Sequence, residues 1–143
     1  MAEPRDVAGS HDDGGKLVLR VALGVLILFH GVSKLLGGGG FAFVTSVVTK
    51  AGLPAAFAYG AYVGEVLAPI LIILGLWTRL GALLIAINMV VAVVLVLTSK
   101  LFAMAPTGGY ALELEAIYLF AAIAVALLGA GRYSLGGSEG RWN

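Results

Sequence analysis

Pro54–Leu76, PAAFAYGAYVGEVLAPILIILGL, is followed after only Trp77-Thr78-Arg79 by Leu80–Thr98, LGALLIAINMVVAVVLVLT. Each run supplies the ~20 apolar residues that an α-helix needs to cross the hydrocarbon core of a bilayer. The three residues between them leave room only for a tight antiparallel helical hairpin. Outward from this hairpin, Leu17–Leu36 and Ala111–Gly129 also reach spanning length. The sequence therefore predicts an all-α integral membrane four-helix bundle, with residues 1–16 as a disordered tail, 17–135 as the membrane domain and 136–143 as a C-terminal tail. The first apolar run lacks a small-residue cleavage site before the next polar stretch, which argues against a signal peptide.

Composition supports the same solvent. Of the 143 residues 60% are hydrophobic and only 12% are charged, and the mean hydropathy is +1.02. Eight acids and nine bases do not suffice to cover a soluble fold so rich in Leu, Val, Ala and Gly. A net charge of +1 with scattered bases excludes a nucleic-acid partner. Without cysteine, neither disulfides nor thiol redox chemistry nor Cys-ligated clusters can be built from this chain alone. A redox role requires a borrowed cofactor.

Gly37-Gly38-Gly39-Gly40 cannot sustain a helix cheaply and ends the first span. Beyond it Phe41, Val44, Val48 and Ala51 recur at helical spacing opposite Thr45, Thr49 and Lys50, which predicts a short amphipathic helix at the interface between spans one and two. Ser99–Tyr110, with Pro106, Gly108 and Gly109, reads as a loop. Placing the amino terminus in the cytoplasm puts Arg5, Lys16, Arg20, Arg79, Arg132 and Arg141 inside, and Lys34, Lys50 and Lys100 outside. That asymmetry predicts both termini on the cytoplasmic side of a multi-pass protein of the inner membrane. Arg20 and Lys34 lie near helix ends, where they can snorkel.

Ionisable groups within the spans each need a partner or a purpose, because burying one near the midplane costs ~2.5–3.5 kcal/mol even on lenient insertion scales. Glu65 lies ~16 Å along the second span, near the middle of the membrane. On the first helix Arg20, Gly24, Ile27, Gly31 and Lys34 form one stripe, with His30 on its flank. Topology brings His30, Lys34, Glu65, Glu113 and Glu115 to the outer half of the bundle. Glu113 and Glu115 are ~200° apart around their helix, and Glu115, the deeper, is the one expected to face inward. Asn88, midway along the third span, suits an interhelical hydrogen bond. Gly60, Gly64 and Ala68 make a small-residue ridge expected to pack against a neighbouring helix, as Gly24 and Gly31 do on the first.

The expected cluster of His30, Lys34, Glu65 and Glu115, with Arg20, Asn88 and Glu113 as secondary members, has two readings. One is an ion-pair network that fixes helix register. The other is a polar pocket that hydrogen-bonds a quinone's carbonyls or relays its protons. A single intramembrane histidine cannot supply two axial haem ligands unless the chain forms a homo-oligomer. His30 with two carboxylates has no close metal-ligand spacing, so no metal site is expected. No catalytic nucleophile, phosphate-binding loop or triad-like set is present either.

Taken in order, Arg20, Gly24, His30-Gly31, Lys34, Glu65, Leu74-Gly75-Leu76 with Thr78-Arg79, Glu115, Tyr118, Gly129-Ala130-Gly131-Arg132 and Ser134-Leu135 resemble the DoxX family. The resemblance covers nearly everything after the tail. It implies a four-helix bacterial membrane protein that serves as a small partner of oxidoreductases. The related DoxD proteins are subunits of a thiosulfate:quinone oxidoreductase, and mycobacterial DoxX associates with superoxide dismutase and a thiosulfate sulfurtransferase. The chain departs from the pattern at Gly136, where an Asp commonly follows the Ser-Leu. These features lead to an expected role as a non-catalytic membrane subunit of a redox assembly, in contact with membrane lipids and a protein partner. The alternatives are a purely structural subunit of a larger complex and a small proton- or solute-conducting protein. The absence of broken, inverted repeats argues against the last.

Overall fold

The structure, a computed structural model, describes residues 4–37 and 39–143; residues 1–3 of the expected tail and Gly38 of the glycine run lie outside the described residues. Among the described residues we number five helices in chain order: α1 Pro4–Leu35, α2 Gly40–Lys50, α3 Ala55–Leu74, α4 Thr78–Val96 and α5 Glu113–Leu128. By length and composition α1, α3 and α4 can cross a membrane. With 16 residues, α5 measures ~24 Å and is shorter than the ~30 Å hydrocarbon core. It starts and stops inside the expected span because Leu112 is not helical and Gly129 takes a positive φ of 78°.

One stripe from each of four helices meets in the core. Leu23 and Ile27 come from α1, Ala68 and Ile72 from α3, Ala82, Ile85, Ala86 and Met89 from α4, and Tyr118, Ala122 and Val125 from α5. These recur at three- and four-residue spacing, the period that gathers side chains on one helical face. The faces pointing away remain apolar: Phe29, Ile87, Val94, Phe120 and Leu127 are each more than half exposed, as befits a lipid-facing surface. α2 stands apart and buries little beyond Val48. It rests on α3 through a stack of Phe41 on Tyr62, with ring centroids 4.9 Å apart and planes 11° from parallel.

The expected amino-terminal tail is helical from Pro4. Lys16 bonds Asp12 at 2.6 Å, a one-turn pair that supports the helix. Asp13 receives both the Arg132 side chain, at 3.1 Å, and the Arg132 backbone N–H, at 3.1 Å. The start of α1 and the segment after α5 therefore occupy the same end of the molecule.

Residues 136–143, expected as a second tail, fold under the α3–α4 turn. Backbone N–H groups of Leu135 and Gly136 donate to the carbonyls of Leu74 (3.1 Å) and Gly75 (3.0 Å), and that of Arg79 donates to Trp142 (2.9 Å). Thr78 Oγ donates to Asn143 Oδ1 at 3.1 Å. Composition signals a polar tail, but the hairpin leaves helix-end carbonyls and donors that need partners, and this segment supplies them. Gly136 stands where a β-carbon would lie 2.9 Å from the Gly75 carbonyl, so this backbone path leaves no room for the Asp of the family pattern.

Candidate functional site

Site geometry begins with an irregularity in α3. The helix opens as a 3-10 turn over Ala55–Tyr59, becomes α-helical, and widens to a π turn over Val63–Leu67. The Ala68 N–H reaches back five residues to the Val63 carbonyl. Pro69 accounts for the location: it has no N–H to give the Glu65 carbonyl four residues earlier, and its ring would crowd that oxygen in a regular helix. π turns inside α-helices frequently mark functional positions, and this one carries Glu65. Gly31 of α1 packs directly against the same carbonyl; a β-carbon there would collide with it.

Glu65 is 8% exposed, ~15 Å from the start of α3. The Lys34 ammonium of α1 donates to its Oε2, and Asn88 Nδ2 of α4 donates to its Oε1 at 3.3 Å. Gly64, lacking a side chain, lets the Asn88 amide lie against α3. Three helices thus meet at one carboxylate, and its charge is neutralised by a partner from a different helix. In a medium of low dielectric this pairing is what makes either charge tolerable.

Beside the trio is a cavity of about 700 Å³, bounded by α2, the first half of α3 and the second half of α4. Lys34, Glu65 and Asn88 are its polar lining residues, and its remaining walls are apolar or glycine. Gly60 belongs to this wall: no atom lies within 4 Å of where its β-carbon would stand. Of the expected ridge of Gly60, Gly64 and Ala68, Gly64 lies against Asn88 and Ala68 is fully buried in the core, while Gly60 borders open space. A four-residue ridge presupposes an uninterrupted α-helix, and the π turn over Val63–Leu67 breaks that period.

Other members of the expected cluster lie elsewhere. His30 is exposed and meets Tyr118 of α5 edge-on, with ring centroids 6.0 Å apart at 74°. It flanks the Gly31–Lys34 stripe on the side that faces α5, away from Glu65. Glu115 is half-buried one turn before Tyr118, Glu113 is exposed, and neither forms an ion pair among the described residues. The site is thus Lys34, Glu65 and Asn88, and His30 and Glu115 fall outside it. Asn88 ranked as secondary in sequence because an amide at midspan has no charge to betray its partner.

Arg20, on the interior-facing stripe and near enough to a helix end to snorkel, is 1% exposed. Its guanidinium donates to the carbonyls of Ile72 (2.8 Å), Ile73 (2.5 Å), Ala130 (3.2 Å) and Tyr133. The first two are end carbonyls of α3, which a cation at a helix C-terminus satisfies well. Arg20 joins α1, the end of α3 and the segment after α5, and does not line the cavity beside Glu65.

The DoxX family profile matches residues 15–98, the stretch that contains Arg20, Lys34, Glu65 and Asn88. The chain is also similar to the Bacillus subtilis protein named "Putative oxidoreductase CatD", with 35% identity over 116 residues, 80% of this chain and 79% of that protein. No solved structure gives a significant match. Both likenesses extend over more than half of the sequence and take in the helices that build the site, so this chain is a membrane protein of the DoxX family.

Proposed function

We propose that this chain is a four-span subunit of a bacterial inner-membrane oxidoreductase complex, that both of its ends are cytoplasmic, and that it holds a quinone in the cavity beside Lys34 and Glu65. The relative's name supports the oxidoreductase connection. The Lys and Arg asymmetry supports the orientation. α5 serves as the fourth span, its shortness absorbed by local thinning of the bilayer.

One observation carries the reading: a neutralised Lys–Glu pair and an amide stand together in the wall of an otherwise apolar cavity. A quinone fits these residues. Its carbonyls are acceptors, and the Lys34 ammonium and Asn88 amide hold donors beyond the one each gives Glu65. Its ring and tail suit the apolar walls. When bound, a quinone supplies two-electron redox chemistry, which no side chain of this sequence provides. Lys34 orients the head and holds a proton at Nζ, Glu65 holds Lys34 in place and can accept that proton, and the walls exclude water. The reacting partner's redox centre belongs to another subunit.

A conduction role is disfavoured by the core itself: Leu23, Ile27, Ile72 and Ile85 are buried between the trio and the Arg20 end, with no polar side chain among them to carry a proton onward. A structural role has one point in its favour, since the trio leaves no buried side-chain polar atom without a partner among the described residues. The deciding experiment is extraction of the tagged chain from its native membrane in digitonin, followed by mass spectrometry of proteins and lipid-soluble molecules. A redox-protein partner with stoichiometric quinone supports the proposal; recovery of this polypeptide alone, with neither, overturns it.

A further inference from the structure

Resting on the quinone reading, we infer that the cavity is loaded sideways from the acyl-chain layer, through the seam between α2 and α4, by a tailed molecule with an uncharged, hydrogen-bond-accepting head. The head goes in first, to Lys34, Glu65 and Asn88, and the tail is left in the seam.

Three features carry this. First, the cavity's rim is made of exposed apolar side chains: Phe43 of α2 is 55% exposed, and Ile87 and Val91 of α4 are 59% and 45% exposed. A mouth facing water would carry polar groups, whereas the polar lining side chains are Lys34, Glu65 and Asn88, and those of Lys34 and Glu65 are only 18% and 10% exposed. Second, α2 and α4 form the two lips of the cavity yet hardly touch one another, whereas α2 is anchored on the other side by the aromatic stack with α3. The seam can widen without disturbing the core, because α2 contributes nothing to the core cluster. Third, the polar trio is electrically balanced. One ammonium faces one carboxylate and the third group is neutral, so an anionic or cationic head would leave a net charge in low dielectric, while a carbonyl head leaves none. A water-soluble head without a tail gains little here, since most of the wall is apolar and only a chain can fill it.

The same chemistry is offered by an isoprenoid-type quinone and by a neutral diacyl lipid, and binding assays separate them. The full chain, in phosphatidylcholine nanodiscs, is titrated with decylubiquinone, with the tail-less 2,3-dimethoxy-5-methyl-1,4-benzoquinone, and with dioctanoylglycerol, each corrected for uptake by protein-free discs. Decylubiquinone is expected to bind at least tenfold more tightly than the other two. Because the sequence has no cysteine, a V47C/V91C variant can be bridged across the seam with a short bis-maleimide. Bridging before addition should cut the loading rate of decylubiquinone at least tenfold, and bridging after addition should retain the bound molecule through washing. Quinone binding at equal strength with and without a tail, or loading unaffected by the bridge, overturns the sideways route and leaves the quinone reading intact. Tighter binding of the diacyl lipid, or failure of any quinone to bind the unmodified chain, overturns that reading as well.

Discussion

Arg20 and Lys34 stand on the same stripe of α1, fourteen residues and ~21 Å apart, and their burial is solved in opposite ways. Arg20 is enclosed by backbone carbonyls from α3 and the segment after α5, forms no ion pair among the described residues, and is not part of the lining of the cavity beside Glu65. Lys34 faces a carboxylate, and that pair borders a cavity of about 700 Å³. A planar guanidinium with five donors can satisfy several fixed carbonyls at once, whereas an ammonium is a compact point charge that needs a counter-charge. The first arrangement uses its cation to close a joint. The second leaves donors and room beside it, which is what a ligand requires.

The largest effect is expected at Arg20. Arg20→Met strands carbonyls from two segments, and because hydrogen bonds to a charged group contribute ~1.5–3 kcal/mol each, the loss should reach ~5 kcal/mol, comparable to the whole stability of a small domain. Size-exclusion chromatography in mild detergent should show aggregate or no protein. Arg20→Lys should rescue little, since one ammonium cannot reproduce the planar fork. A monodisperse Arg20→Met protein would remove the structural half of the contrast.

Next comes the ion pair. Lys34→Met alone leaves Glu65 uncompensated and should cost ~3–4 kcal/mol, while K34M/E65M together should recover most of it, because an apolar pair of similar volume is often as stable as a buried ion pair. Thermal unfolding in detergent reads both. The double variant should nevertheless lose quinone retention. Full retention by a stable double variant would reduce the pair to a register device and erase the difference from Arg20. Asn88→Ala follows at ~1.5 kcal/mol, the low end for a hydrogen bond to a charged group, since this bond is long at 3.3 Å, with a severalfold weaker quinone affinity in nanodiscs as the accompanying readout.

Which parts of this could be read in advance follows from what each interaction leaves in the sequence. Spanning helices announce themselves by length and hydropathy, and the hairpin by the three residues at Trp77-Thr78-Arg79. The stripe from Arg20 to Lys34 and its meeting with Glu65 follow from helical period and topology. Arg20's carbonyl partners are invisible in sequence, because backbone oxygens carry no residue identity. His30 misleads because one residue of rotation, ~100°, separates the α3 side of α1 from its α5 side. The π turn has a signal in Pro69, four residues after Glu65; it points to the irregular carbonyl, but not to the cavity beside it. The terminal segments read as tails because their composition is polar; the start of α1 is held by Lys16–Asp12 and by Asp13 with Arg132, and residues 136–143 by the unpaired backbone at the hairpin turn.

The smallest change in stability is expected where the sequence suggested packing and the structure leaves space. Gly60 is helical, with φ −56° and ψ −30°, so a side chain costs nothing in backbone conformation, and Gly60→Ala should stabilise the chain by ~0.5–1 kcal/mol through reduced unfolded-state freedom. Gly60→Phe tests the cavity more severely. If the void beside Gly60 exists to be filled, the ring enters it, the melting temperature changes by no more than a few degrees, and decylubiquinone binding falls at least tenfold although Lys34, Glu65 and Asn88 are untouched. A packing role predicts the reverse: a large loss of stability, because a ring forced between two close helices strains both. The substitution therefore separates empty space from contact, on which the distinction between the Lys34 end and the Arg20 end depends.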